Sequence, residues 1–81
     1  MAKIKIYTTH YCPFCDAAKA LLHKKNIPFE EIDVSDDEAK HALKARTGWR
    51  TVPQIFIDGE LIGGYEELVA MERRGALAKR L

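Results

Sequence analysis

Polar and apolar side chains alternate from Lys3 through Ile4, Lys5 and Ile6 to Tyr7, the period-two pattern of a strand with one core-facing side. After a short loop from Thr8 to Tyr11 the period changes. From Pro13 to about Lys25, Phe14, Ala17, Ala18, Leu21 and Leu22 recur at helical spacing. Pro13 suits the first turn of that helix, because its missing N–H would have had no partner there. Asn26, Ile27 and Pro28 end it. Phe29 to Val34 reads as a second strand, with Ile32 and Val34 in phase. Ser35-Asp36-Asp37-Glu38 has the Ser-x-x-Glu form of a capping box and predicts a helix through Ala39, Ala42 and Leu43, ending near Thr47-Gly48. Gln54 to Ile57 is a short strand, Asp58-Gly59 a two-residue hairpin signal, and Glu60 to Ile62 the returning strand. Gly63-Gly64 breaks it, and Glu66 to Arg74 forms a last helix bearing Leu68, Val69 and Met71.

The predicted order is therefore βαβαββα. A β–α–β start demands parallel strands and a right-handed crossover, while the hairpin is antiparallel. The expected fold is α/β: a four-stranded mixed sheet with helices on both faces, formed as one domain over residues 1–81. Thirteen Lys and Arg against 12 Asp and Glu are interspersed along the chain, which argues against a nucleic-acid partner. No apolar run approaches the length of a membrane span. Met1-Ala2-Lys3 runs directly into the first strand pattern, so no signal peptide is expected, and a reducing cytoplasmic setting follows as the default.

Cys12-Pro13-Phe14-Cys15 holds the only two cysteines, at the junction of the first strand and first helix. Such close spacing constrains almost no loop, so a structural staple is a poor explanation. The setting instead reads as a thioredoxin-like redox pair. An ordinary thiol with a pKa near 8.5 is only about 3% thiolate at neutral pH. Thiols at helix starts fall to roughly 3.5–7.5, and a shift of three units is worth about 4 kcal/mol. A helix dipole supplies about 0.3–1 kcal/mol, rising to about 2 in favourable sites, so hydrogen bonds to the sulfur must provide most of any such shift. Cys12, outside the first turn, is the expected nucleophile, and Cys15, one turn inside, the resolving thiol. Zinc usually needs four ligands; His10 is a third candidate and no second cysteine pair exists, so no metal is expected.

Cys12-Pro13-Phe14-Cys15, Thr51-Val52-Pro53-Gln54 and Gly63-Gly64-Tyr65-Glu66-Glu67, in this order and spacing, resemble the three-part signature of the dithiol glutaredoxins, in the thioredoxin superfamily. The similarity spans nearly the whole chain and is nearest the short bacterial glutaredoxin 3 type. It implies the thioredoxin-like (glutaredoxin) fold, a cis Val52–Pro53 bond and glutathione as reducing co-substrate. Thr51 and Val52 would hold the tripeptide through the backbone. The N–H groups of Gly64, Tyr65 and Glu66 would take the γ-glutamyl carboxylate at a helix start, and the Glu66 carboxylate would face the ammonium group. Phe14 and Pro53 would lie beside the thiol, with Arg50 or Arg46 near the glycine carboxylate. Three positions depart from the common pattern: Phe14 stands for Tyr, Thr9 for Lys, and Glu66-Glu67 for Asp-Asp.

The resemblance implies a monomeric oxidoreductase that reduces protein disulfides and glutathione mixed disulfides. Two alternatives accompany it. One is a redoxin fed by thioredoxin reductase and serving ribonucleotide reductase; the glutathione-type Gly63-Gly64 segment argues against it. The other is an iron–sulfur or metal carrier, disfavoured by Pro13, which stiffens the turn.

Overall fold

The computed structural model describes residues 3–49 and 51–80. Strand β1 (Ile4–Thr8) buries Ile4, Ile6 and Thr8 and leaves Lys5 and Tyr7 half-exposed, as its alternation requires. It is followed by α1 (Pro13–Lys24), β2 (Glu30–Asp33), α2 (Asp37–Thr47), β3 (Gln54–Ile57), β4 (Glu60–Gly63), α3 (Tyr65–Arg73) and α4 (Ala76–Lys79). The sheet has the order β2-β1-β3-β4. β1 pairs in parallel with β2, whereas β1–β3 and β3–β4 are antiparallel. Asp58 (φ 52°) and Gly59 (φ 85°) both have positive φ at the β3–β4 turn. That is the backbone a tight hairpin between right-twisted strands needs.

Ile4, Ile6, Ile55 and Ile57 form the sheet side of the core. Ala18 and Leu22 of α1, Leu68 and Met71 of α3, and Leu77 of α4 cover them. Each fully buried Leu or Ile contributes about 1.5–3 kcal/mol, so this layer dominates the stability of a small chain. On the opposite face, which stays open around Lys3, Lys5, Tyr7 and Phe56, lies the end of α2. Arg46 on its last turn donates Nη2–H to the Tyr7 hydroxyl at 3.0 Å, and its guanidinium sits 5.5 Å from the Tyr7 ring centre. Tyr7 in turn meets Phe56 edge-on, with centroids 5.4 Å apart. Helices therefore lie on both faces.

Several boundaries depart from the sequence reading. The capping box does not form: Asp36, not Ser35, caps α2, taking the Ala39 N–H at 3.2 Å. Asp36 is an equally good capping residue one position later, and Ser35 is engaged elsewhere. On α2 only Leu43 is buried. β2 begins at Glu30 rather than Phe29, and α3 begins at Tyr65 rather than Glu66. The short α4 is additional; Gly75 (φ 74°) turns the chain so that Leu77 reaches the core. Phe14, grouped by periodicity with the apolar face of α1, is 60% exposed.

Candidate active site

Cys12 is the N-cap of α1, with extended backbone (φ −114°, ψ 98°), and its sulfur accepts the Cys15 N–H at 3.1 Å. One of the unpaired donors of the first turn is thus satisfied by a sulfur. Pro13 at the first helical position contributes no N–H to compete. Cys12 and Cys15 are paired as a disulfide, with Cα atoms 5.1 Å apart. Cys15 is 1% exposed, whereas Cys12 is only half-buried. Of the pair, Cys12 is therefore the more accessible residue.

The Val52–Pro53 peptide bond is cis. The Val52 carbonyl oxygen lies 3.8 Å from Cys12 Sγ, so Val52 stands directly beside the cysteine pair. Beside it runs a groove of about 330 Å3 lined by Phe14, Trp49, Thr51, Val52, Pro53 and the start of α3 from Gly64 to Glu67. This groove unites residues from all three segments singled out in the sequence. Phe14 forms its rim, 6.1 Å from the Tyr65 ring. Tyr11, just before Cys12, is fully exposed.

The two glycines make the groove possible. Gly63 has φ 123°, and a Cβ there would come within 2.5 Å of Glu67 Cγ. A Cβ on Gly64 would press on the Pro53 carbonyl oxygen at 3.2 Å. Gly64 is the N-cap of α3, but glycine has no side chain to cap with. The cap comes from within the helix: the Gly64 N–H donates to Glu67 Oε1 at 2.8 Å. Of the three N–H groups expected to receive a ligand carboxylate, that of Gly64 already has an anionic partner. Those of Tyr65 and Glu66 belong to the first turn, where no helical carbonyl is available.

Arg46 does not join the groove, since it is held on Tyr7 across the sheet. The expectation for Arg50 lies outside the described residues. Trp49 does line the groove, although the sequence reading passes over it. The one available signal was its place two residues before Thr51, and an aromatic residue beside a turn ordinarily reads as packing.

Polar links steady the elements that carry Cys12. Glu31 on β2 accepts the Thr8 hydroxyl at 2.7 Å and the Lys19 ammonium at 3.0 Å, tying α1 to the sheet. The Thr8 hydrogen bond first, and Lys19 second, hold the Glu31 carboxyl below the usual Glu range. The reciprocal bond to Glu31 raises Lys19. His10 donates its backbone N–H to Ser35 Oγ at 2.9 Å, and its imidazole Nε2 meets Asp33 Oδ2 at 2.7 Å. Asp33 also accepts the Ser35 N–H at 2.7 Å, and the contact with Ser35 is the main cause of its lowered pKa. His10 thus fastens the loop before Cys12 to the start of α2. Among the described residues, no group of three or more His, Cys, Asp or Glu side chains could hold a metal ion. Nor, among them, is any helix long and apolar enough to cross a membrane.

Comparison with known proteins agrees with this geometry. Residues 4–62 match the family profile described as Glutaredoxin. The chain is 46% identical over 78 residues to Glutaredoxin 3 of Escherichia coli strain K12, covering 95% of this chain and 94% of that protein. It is 48% identical over 81 aligned positions to Glutaredoxin 1 of Rickettsia prowazekii, covering 96% and 85% respectively. Among solved structures it resembles the buckwheat glutaredoxin–glutathione complex, with a TM-score of 0.88 and 28% identity over 99% of this chain and 76% of that one. With sequence, topology and the sulfur pair in agreement, the chain belongs to the glutaredoxin family.

Proposed function

We propose that this chain is a glutathione-dependent thiol–disulfide oxidoreductase in which Cys12 is the nucleophile and Cys15 the resolving thiol. The observation that carries the reading is the convergence of the cis-Pro segment and the α3 N-terminus on one groove beside Cys12, the more accessible of the two cysteines. In the reduced protein the Cys15 N–H, already directed at Cys12 Sγ, stabilises a thiolate there. That thiolate attacks the glutathione sulfur of a mixed disulfide. The Cys12–glutathione bond forms, and the client leaves as a thiolate that takes a proton from solvent. A second glutathione, as thiolate, attacks the bound glutathione sulfur, releasing glutathione disulfide and restoring Cys12. With a protein disulfide, Cys12 forms the mixed disulfide. Cys15 then loses its proton and displaces the reduced client, and two glutathiones reduce the Cys12–Cys15 bond.

Glutathione lies along Thr51 and Val52, with Phe14 and Pro53 beside its sulfur. Its γ-glutamyl carboxylate sits at the Tyr65 and Glu66 N–H groups, and its ammonium group faces Glu66. The buckwheat protein, described as a complex with glutathione, supports this choice of co-substrate. The proposed setting is a reducing cytoplasm, where the pair cycles rather than persists as a disulfide.

A deglutathionylation assay tests the proposal. Cys15→Ser retains the reaction with glutathione mixed disulfides and Cys12→Ser abolishes it. An active Cys12→Ser protein overturns the assignment. Parallel assays coupled to glutathione reductase and to thioredoxin reductase identify the electron source, and turnover only with the latter rejects the glutathione reading.

A further inference from the structure

Trp49 is the only tryptophan of the chain, and its indole Nε1–H is buried without a hydrogen-bond partner among the described residues. An indole is a donor only, and a buried donor left unpaired is both rare and unfavourable. The ring is not there by loose packing of a loop. Its backbone is fixed from both sides, the Trp49 N–H donating to Thr47 Oγ1 at 3.1 Å and its carbonyl accepting Gln54 Nε2–H at 3.0 Å. Gln54 is itself 2% exposed, so the anchor belongs to the core.

The position of the unpaired donor is informative. Nε1 lies 3.9 Å from the point a Cβ on Gly64 would occupy, so the indole edge abuts the N-cap of α3. The carboxylate nearest that N-cap, Glu67, already accepts the Gly64 N–H. The groove is thus lined by Tyr65 and Glu66, with their first-turn N–H groups, and by Trp49, whose indole edge abuts the same helix start. All of these are donors.

We propose that Trp49 is a specificity-determining residue, whose indole N–H turns onto the γ-glutamyl carboxylate of bound glutathione and completes the set of donors around it. The proposal rests on the glutathione reading above. It adds a discrimination: a thiol compound with no carboxylate at that end, such as cysteinylglycine, has nothing for the indole to hold. Binding relieves the unpaired donor only when the γ-glutamyl group is present.

The test uses the reduced, 15N-labelled protein titrated with S-methylglutathione, which binds without reacting. The single indole resonance moves downfield together with the Tyr65 and Glu66 amides. Trp49→Phe, which keeps an aromatic ring but removes the N–H, raises KM for a glutathione mixed disulfide by about tenfold, the size of one charge-assisted hydrogen bond, with kcat held. Its KM for the corresponding cysteinylglycine mixed disulfide stays at the wild-type value. If S-methylglutathione shifts the Tyr65 and Glu66 amides but not the indole, the proposal is wrong while the glutathione reading stands. An equal rise in both KM values likewise overturns it, because it reports lost packing alone. If S-methylglutathione moves none of these resonances, the glutathione reading falls and the proposal with it.

Discussion

Two helix mouths meet at this groove, and they are closed in different ways. At α1 the N-cap residue supplies its own acceptor, the sulfur of Cys12, which takes the Cys15 N–H. At α3 the N-cap is Gly64, and the acceptor reaches back from Glu67 inside the helix. On the proposed function, capping and chemistry use the same atom in the first case, so whatever stabilises the helix start also stabilises a thiolate. In the second, the cap is held to one side and the remaining first-turn donors stay open. A reactive group belongs at the first kind of mouth and a guest anion at the second.

The comparison is broken most severely at residue 12. Under reducing conditions Cys12→Ala costs about 0.5–2 kcal/mol by removing the cap and also abolishes exchange activity. Cys12→Ser restores the cap without the activity. Urea unfolding beside a deglutathionylation assay separates the two roles, and equal stability of Ala and Ser variants would show that the sulfur is not a cap. Next comes Gly63→Ala. With φ 123° and the Glu67 side chain in the way, the methyl group disturbs the α3 mouth, and the expected loss is about 1–3 kcal/mol in the same urea measurement.

Glu67→Ala removes the internal cap and costs about 1 kcal/mol, with Glu67→Gln retaining part of it. No change in urea midpoint for either variant would leave the α3 mouth without the cap described. The smallest effect lies away from both mouths, at Glu31, which steadies α1 from β2. Its folded pKa is depressed, so its contribution is present above the ordinary value of 4.5 and lost as pH falls through the lower folded value. Wild type therefore loses more stability than Glu31→Gln between about pH 6 and about pH 3, measured as urea midpoints. Parallel losses would show that Glu31 does not drive the slope.

The element order was legible because each period change coincided with a local signal: Pro13 at a helix start, Asp58-Gly59 at a hairpin, Gly63-Gly64 at a break. What the sequence concealed were choices between near-equivalent residues and contacts across the fold. Ser35 and Asp36 are both good caps, and the difference was decided by the bond from the distant His10 N–H to Ser35. Arg46, the alternative to Arg50 near the groove, is held by Tyr7 on the far face, a contact across the fold that no local spacing shows. Phe14 falls in phase with buried residues, but in the first turn of α1 it overhangs the groove instead of the core. Trp49 was hidden most completely, since its proposed role lies in a donor without a partner among the described residues, which no local pattern reports.

Strand β2, at one margin of the sheet, carries Glu30, Glu31 and Asp33 among its four residues. An open margin is where a further strand, from a client or from another copy, could add by main-chain pairing. Charged side chains on such a margin, Glu30 beside Glu31 and Asp33 with their partners Lys19 and His10, discourage that pairing. A hydrated, charged border of this kind makes an adhesive backbone edge harder for a neighbour to use.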